Sequence, residues 1–237
     1  MTISRTLSLL AVIGAGALAL VGCTSTTPNS ASSGSGAPAA GGEVDVDAGW
    51  LDGGRMVAIV TQGSSGCIPI ATAVTLQADG SVAVTLEAPA GDVVCTADFV
   101  PRASLVVLPD DADAAAELDL VVTYGDARGE TDLDPYSGGP VEEFAPSAGW
   151  IDDGQFAILT WGSSSCAPRV DQVLADATDS LTVVFVDPPA DQMCTMDMAP
   201  RVVLATVGDV DDDSIATVTL TGGGAEFATP ITIPLAG

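Results

Sequence analysis

The chain has 237 residues and a formal net charge of −26, with six arginines, no lysine and no histidine. A surface of that sign repels nucleic acid and anionic lipid headgroups, which argues against DNA or RNA partners. Without an imidazole there is no Ser-His or Cys-His dyad and no histidine ligand for zinc, copper or iron, so most hydrolase and redox-metal chemistry is excluded.

Met1 to Arg5 form a short basic start, and Leu7 to Leu20 an apolar core too short to span a bilayer comfortably, with no basic stop-transfer cluster after it. Leu20-Val21-Gly22-Cys23 closes this stretch. The segment resembles the bacterial lipoprotein signal, whose Leu-(Ala/Ser/Thr/Val)-(Gly/Ala)-Cys pattern is matched at every position. The resemblance covers the signal alone. It implies removal of residues 1–22, acylation of the Cys23 thiol and attachment to the cell membrane on the side facing away from the cytoplasm. The first partner is then the lipid bilayer, and two or more acyl chains give stable anchoring where one is marginal. The alternative is an ordinary cleaved signal in which Cys23 is incidental. Residues 23–42 are almost wholly Ser, Thr, Ala, Gly, Pro and Asn, a composition that cannot bury a core and behaves as a flexible linker.

The remainder is written twice. Gly49-Trp50-Leu51-Asp52 returns as Gly149-Trp150-Ile151-Asp152, and Gly63-Ser64-Ser65-Gly66-Cys67 as Gly162-Ser163-Ser164-Ser165-Cys166. Cys95-Thr96-Ala97-Asp98-Phe99-Val100-Pro101-Arg102 returns as Cys194-Thr195-Met196-Asp197-Met198-Ala199-Pro200-Arg201. A period of about 100 residues is too long for a solenoid and fits two copies of one small domain, 43–134 and 148–237, with a linker at 135–147.

In the first copy, short runs rich in Val, Ile, Thr and Leu predict strands over Met56–Thr61, Ala71–Leu76, Ser81–Leu86, Leu105–Leu108, Leu118–Tyr124 and, weakly, Glu130–Leu133. Ala78-Asp79-Gly80 predicts a hairpin turn, and Ala112–Leu118 a helical turn. The second copy repeats the runs at Phe156–Trp161, Val170–Leu174, Leu181–Val186, Val202–Val207, Ile215–Thr221 and Phe227–Ile233. Six short strands per copy predict an all-β fold, two tandem antiparallel β-sandwiches each with one disulfide.

Setting Cys23 aside leaves four cysteines, an even number in an exported chain. Four cysteines allow three connectivities, and the same 28-residue spacing in both copies favours Cys67–Cys95 and Cys166–Cys194. A loop of that length stabilises its domain by roughly 3–4 kcal/mol on the chain-entropy model. That is a useful amount for small domains with 4% aromatic residues.

Asp98 and Arg102 recur as Asp197 and Arg201 in a chain where arginine is scarce. They read as a clamp on the loop after the disulfide or, alternatively, as ligand contacts at equivalent ends of the two copies. Trp50 and Trp150 recur as core anchors or exposed stacking platforms, and Trp161 stands where the first copy has Gln62. Ser64, Ser65 and Ser163 to Ser165 have no histidine or lysine to act as base, so they are turn formers. Asp209, Asp211 and Asp213 have the i, i+2, i+4 spacing of a calcium loop, but Ser214 and Leu220 stand where that loop needs glycine and a bidentate glutamate. Asp110, Asp111 and Asp113 hold a similar place in the first copy.

The composite expectation is a non-enzymatic, lipid-anchored interaction or structural module of the Gram-positive envelope type, with no cofactor and with an envelope protein or wall polymer as partner. The alternative is a small-ligand or calcium-binding lipoprotein. A carboxylate-dependent hydrolase is the weakest reading, because no particular acid pair is singled out among so many.

Overall fold

A computed structural model describes residues 41–177, 179–208 and 214–237. The signal, Cys23 and all but the end of the 23–42 linker lie outside the described residues, as do Asp209, Asp211 and Asp213. Among the described residues there is no α-helix and hence none long and apolar enough to cross a membrane.

The first copy contributes β1 (Asp47–Leu51), β2 (Met56–Gly63), β3 (Ile70–Leu76), β4 (Val82–Glu87), β5 (Val100–Val107), β6 (Leu118–Tyr124) and β7 (Ala127–Leu133). The second contributes β8 (Ser147–Asp152), β9 (Gln155–Gly162), β10 (Val170–Ala177), β11 (Ser180–Phe185), β12 (Ala199–Thr206), β13 (Thr217–Gly222) and β14 (Phe227–Ala236). The twelve expected runs are all strands. The two additional strands are the recurring Gly-Trp elements, whose Gly and Asp residues weaken a β pattern taken alone.

The turn at Ala78-Asp79-Gly80 joins β3 to β4 as expected, closed by Gln77 N donating to Ser81 O at 2.8 Å, with Asp79 accepting from Ser81. The helical turn expected over Ala112–Leu118 does not form. Two separate turns stand there, closed by Ala112 N to Pro109 O and Ala116 N to Asp113 O, and Leu118 already opens β6. The Asp113 carboxylate takes the Ala115 N–H, a local bond that competes with helix nucleation.

The expectation of purely antiparallel sheets is also corrected. β4 pairs with β6 in parallel, and β11 with β13 likewise. The chain leaves β4, builds β5 in a different sheet and returns beside β4, so the two neighbours run the same way. Two sheets are therefore mixed, β3-β4-β6-β7 in the first copy and the seven-stranded β10-β11-β13-β14-β8-β9-β12 in the second, while β1-β2-β5 of the first copy is antiparallel throughout.

Burial explains the layering. In β4 and β6 buried and partly exposed residues alternate, the pattern of a sheet with one covered face. Val82, Val84, Leu86, Leu118, Leu120, Val122 and Tyr124 point inward, where they meet Trp50, Val57, Ile59 and Val106 from β1, β2 and β5. β2 is different: Met56 through Val60 are all buried, so this strand is covered on both faces. Val57 and Ile59 face their own copy's core. Met56, Ala58 and Val60 join Ala103, Ala157 and Leu159 in a cluster shared by both copies. β9 behaves alike, with Phe156 and Ile158 turned into the second core and Ala157 and Leu159 toward the first copy.

The two inner sheets thus pack on one another, and the packing has pseudo-twofold character. A Cβ on Gly49 would collide with the Trp150 carbonyl oxygen, and one on Gly149 with the Trp50 carbonyl oxygen. Asp52 N donates to Ser147 Oγ at 2.8 Å, so β1 and β8 pass each other in opposite directions. Only glycine allows two backbones this close. The antiparallel crossing sets the disulfide end of the second copy beside the β1–β2 turn of the first. There Trp161 meets Phe144 edge-on with ring centres 5.2 Å apart and shares a cavity with Asp52 and Arg55.

Candidate functional site

Both copies end in the same stapled tip. Cys67–Cys95 and Cys166–Cys194 are bonded, with Cα atoms 5.3 and 5.6 Å apart. Behind each disulfide a carboxylate gathers the serine loop. Asp98 accepts the Ser65 N–H at 3.1 Å and the Thr96 hydroxyl, and Thr96 Oγ1 in turn lies 2.8 Å from Ser64 Oγ. Asp197 does the same with Ser164 N at 3.1 Å and with Thr195. These hydrogen bonds, from Ser65 and then Thr96, hold the exposed Asp98 carboxyl down at about 2, and those from Ser164 and Thr195 hold Asp197 lower still. The serines are therefore used as loop formers.

Asp98 and Arg102 fix the loop separately. Arg102 lies across the end of β2 with its guanidinium beside Gly63, where a Cβ would collide with it. Its Nη1 donates to Cys67 O at 2.6 Å and its Nε to Thr61 Oγ1 at 3.4 Å, while its Cζ sits 5.5 Å from the centre of the Tyr124 ring. Arg201 repeats the first contact, donating to Cys166 O at 3.0 Å, and adds one to Trp161 O at 3.2 Å. Its third partner is new: Nη2 pairs with Glu226.

The change of partner has a cause in the core. The first copy places Leu86, Tyr124 and Ala127 where the second places Phe185, Gly222 and Phe227. The aromatic volume moves to the neighbouring strands, where Phe185 and Phe227 lie 4.9 Å apart between ring centres. No ring then covers Arg201. The β13–β14 connection, Gly223 to Glu226, is two residues longer than its counterpart Gly125-Asp126, and it delivers the carboxylate instead.

Beside this pair opens a cavity of about 290 Å3, lined among others by Trp161, Ser163, Arg169, Gln192, Arg201 and Glu226. The disulfide sulfur of Cys166 forms part of its wall and accepts from Gln192 Nε2 at 3.2 Å. Arg201 and Thr160 are buried, and among the described residues Arg201 Nε, Thr160 Oγ1 and Trp161 Nε1 have no hydrogen-bond partner. Arg169, Trp161 and Gln192 replace Ile70, Gln62 and Val93 of the first copy. The matching tip of the first copy instead exposes Ile68, Ile70, Val93, Val94 and Phe99.

The tryptophans divide. Trp50 is buried in the first core, donating to Asp134 O at 2.7 Å and packing edge-on to Tyr136. Trp150 packs on Phe156 and borders a second cavity of about 230 Å3, with Asp132, Asp134, Asp152 and Asp153 on its walls. Nearby, burial first and then the charges of Asp152 and Asp45 push the Asp47 carboxyl up. No group of three or more metal-ligating side chains occurs among the described residues, which include Asp110, Asp111 and Asp113.

Of the residues singled out in the sequence, the structure brings Trp161 and Arg201 to one cavity. Asp197 braces the tip behind it, and Trp50 and Trp150 flank the pseudo-twofold axis. Arg169, Gln192 and Glu226 were not anticipated. A position-by-position comparison of the copies carries the signal for them: an arginine where the first copy has isoleucine, and a hairpin with two extra residues. The chain matches no family model, no curated protein and no solved structure.

Proposed function

We propose that the chain is a lipid-anchored, non-enzymatic binding module of the cell envelope. In this reading each copy is a two-layer sandwich, the first serves as scaffold, and the second carries the binding site. One observation supports the reading above the others: the second tip places Arg169 and Gln192 where the first has Ile70 and Val93, and Trp161 where the first has Gln62, around an open cavity on a frame otherwise shared with the first. Pockets with few, convergent polar groups and an aromatic wall are the usual form of a small-ligand site. The hydroxyls of Ser163 to Ser165 are engaged with Thr195, and Glu226 with Arg201, so nothing at the site is arranged as nucleophile and base.

A ligand that binds only the folded state raises the melting midpoint by mass action. The test is a thermal-shift panel of soluble wall-polymer fragments and small envelope metabolites, with mass spectrometry of each mixture afterwards. The reading expects at least one midpoint increase that Trp161→Gln abolishes, with the compound recovered intact. A panel that shifts nothing argues against a small-ligand site, and recovery of a cleaved compound overturns the non-enzymatic assignment. Calcium and EDTA arms address the acidic-loop alternative. For the anchor, Cys23→Ser is expected to release the chain from membranes or leave it unprocessed, and unchanged acylation by mass would refute it.

A further inference from the structure

We propose that the cavity of the second copy is a site for the oxyanion of a small ligand, a carboxylate or a phosphate, and that Glu226 occupies Arg201 in the ligand's place. The inference rests on the binding-module reading and names its ligand chemistry.

Charge distribution is the first support. Acidic residues outnumber basic ones 32 to 6, so an arginine without a partner is unexpected. Arg55 is bonded to Asp52, Arg128 to Glu130, Arg201 to Glu226, and Arg102 is buried against Cys67 O and Tyr124. Arg169 is exposed on the cavity wall, and among the described residues its side chain has no ion pair or hydrogen bond. The residues that line the cavity therefore combine two guanidinium groups with one carboxylate, and the neighbouring Asp187 carboxylate is engaged by the Gly224 N–H. Charges farther than about 8 Å away are screened at physiological ionic strength, so the groups at the cavity govern what enters.

The second support is that Glu226 is dispensable to the frame. The arginine at this position holds the carbonyl of the first disulfide cysteine, and Arg102 makes that contact with the Tyr124 ring as its cover. Glu226 comes from the extra residues of a hairpin containing Gly222, Gly223 and Gly224, and its side chain is one-third exposed. The third support is unused donor capacity. Among the described residues Arg201 Nε is buried without a partner on a side chain only 4% exposed, and Trp161 Nε1 has none either; both residues line the cavity. A planar guanidinium matches a carboxylate or phosphate through two parallel N–H bonds. Exchange of the Glu226 carboxylate for a ligand oxyanion conserves the charge around Arg201 and adds the contact with Arg169.

The experiment titrates the purified full chain with N-acetylglycine, with its neutral twin N-acetylglycinamide, and with inorganic phosphate. It follows the indole N–H resonance of Trp161 and the arginine Nε–H resonances. The wild type, Arg169→Gln and Glu226→Gln are compared, each first shown by its melting profile to be fully folded at the titration temperature; Arg169 is exposed, which makes that variant safe for folding. One charge-assisted contact corresponds to roughly a tenfold change in affinity. Binding of an anionic probe is expected to weaken by about that factor in Arg169→Gln and to tighten severalfold in Glu226→Gln, with no saturable response to the neutral amide. A preference for N-acetylglycine assigns a carboxylate ligand, and a preference for phosphate a phosphoryl ligand; both support the site. Equal binding of the neutral amide overturns the oxyanion inference while leaving the binding-module reading in place. Anion binding that ignores both substitutions, or no anion binding even to Glu226→Gln, also overturns it, and the ligand panel then decides the wider reading separately.

Discussion

The two copies share a backbone plan and a clasp, and they part at one side chain. In the first copy a tyrosine ring from β6 covers the buried arginine; in the second that ring is gone and a carboxylate reaches the arginine from the following hairpin. The core tolerated the change because volume was moved rather than lost: Leu86, Tyr124 and Ala127 became Phe185, Gly222 and Phe227. Cores accept such redistribution when total volume and patterning are kept. What differs afterwards is the surface. Both tips expose apolar side chains, Val94 and Phe99 in one and Met193, Met196 and Met198 in the other, but only the second adds a cavity lined by two arginines. A duplicated fold can thus open a cavity in one copy and not at the matching place in the other, without altering the disulfide around it.

The comparison is broken most severely at the axis. Gly49→Ala and Gly149→Ala each drive a Cβ into the opposite backbone, which cannot yield as a flexible side chain would. Each is expected to cost about 3 kcal/mol or more, in equal measure, by chemical denaturation. A neutral result at either glycine would show that the reciprocal crossing of β1 and β8 is wrong.

Next come the staples. Replacing both cysteines of one copy by alanine is expected to cost roughly 3 kcal/mol. The two disulfides separate in access: Cys67 is 3% exposed, whereas Cys194 lies at the surface. Under mild reductant Cys166–Cys194 should open first, measured by differential alkylation and mass spectrometry. Simultaneous opening would mean that the tips are equally protected.

The arginines should show a smaller but asymmetric effect. Arg102→Met leaves the Cys67 carbonyl without its donor and the Tyr124 ring without its cation, at a cost of about 2 kcal/mol. Glu226→Gln removes only the partly exposed member of the second pair, and Arg201 keeps its bonds to Cys166 O and Trp161 O. About 1 kcal/mol or less is expected. A larger loss for Glu226→Gln than for Arg102→Met would make the carboxylate structural and weaken the case for displacement.

The smallest effect concerns acid. A carboxyl whose folded value is depressed adds stability above its ordinary value near 4, and loses it as pH falls through the folded value. The Asp98 contribution therefore fades between about pH 4 and 2, and that of Asp197 from the same starting point down to still lower pH. Carbon-detected titration of the two carboxyls should find Asp98 protonating first, and Asp98→Asn should flatten the stability profile in that window. Reversed order would mean that the clasps differ in a way their matching donors do not show.

Much of this molecule is legible in its order of residues, because the relevant physics is local. Alternation in Val82–Glu87 and Leu118–Tyr124 reports a half-covered strand, and Asp79-Gly80 reports a tight turn. The repeat itself reports the cysteine pairing. The unbroken apolar runs Met56–Val60 and Phe156–Leu159 also announced strands covered on both faces, a signal clear only once the partner sheet is seen. Other features were decided by segments distant in the chain. The parallel neighbours β4 and β6 exist because β5 is built elsewhere between them. The cavity exists because a hairpin near the C-terminus brings Glu226 to Arg201, while Arg169, at the start of a different strand, lines the opening. Local periodicity fixes which face of a strand is buried; which other face it meets, and which charges are left unpaired around the meeting, is settled only when every layer is packed.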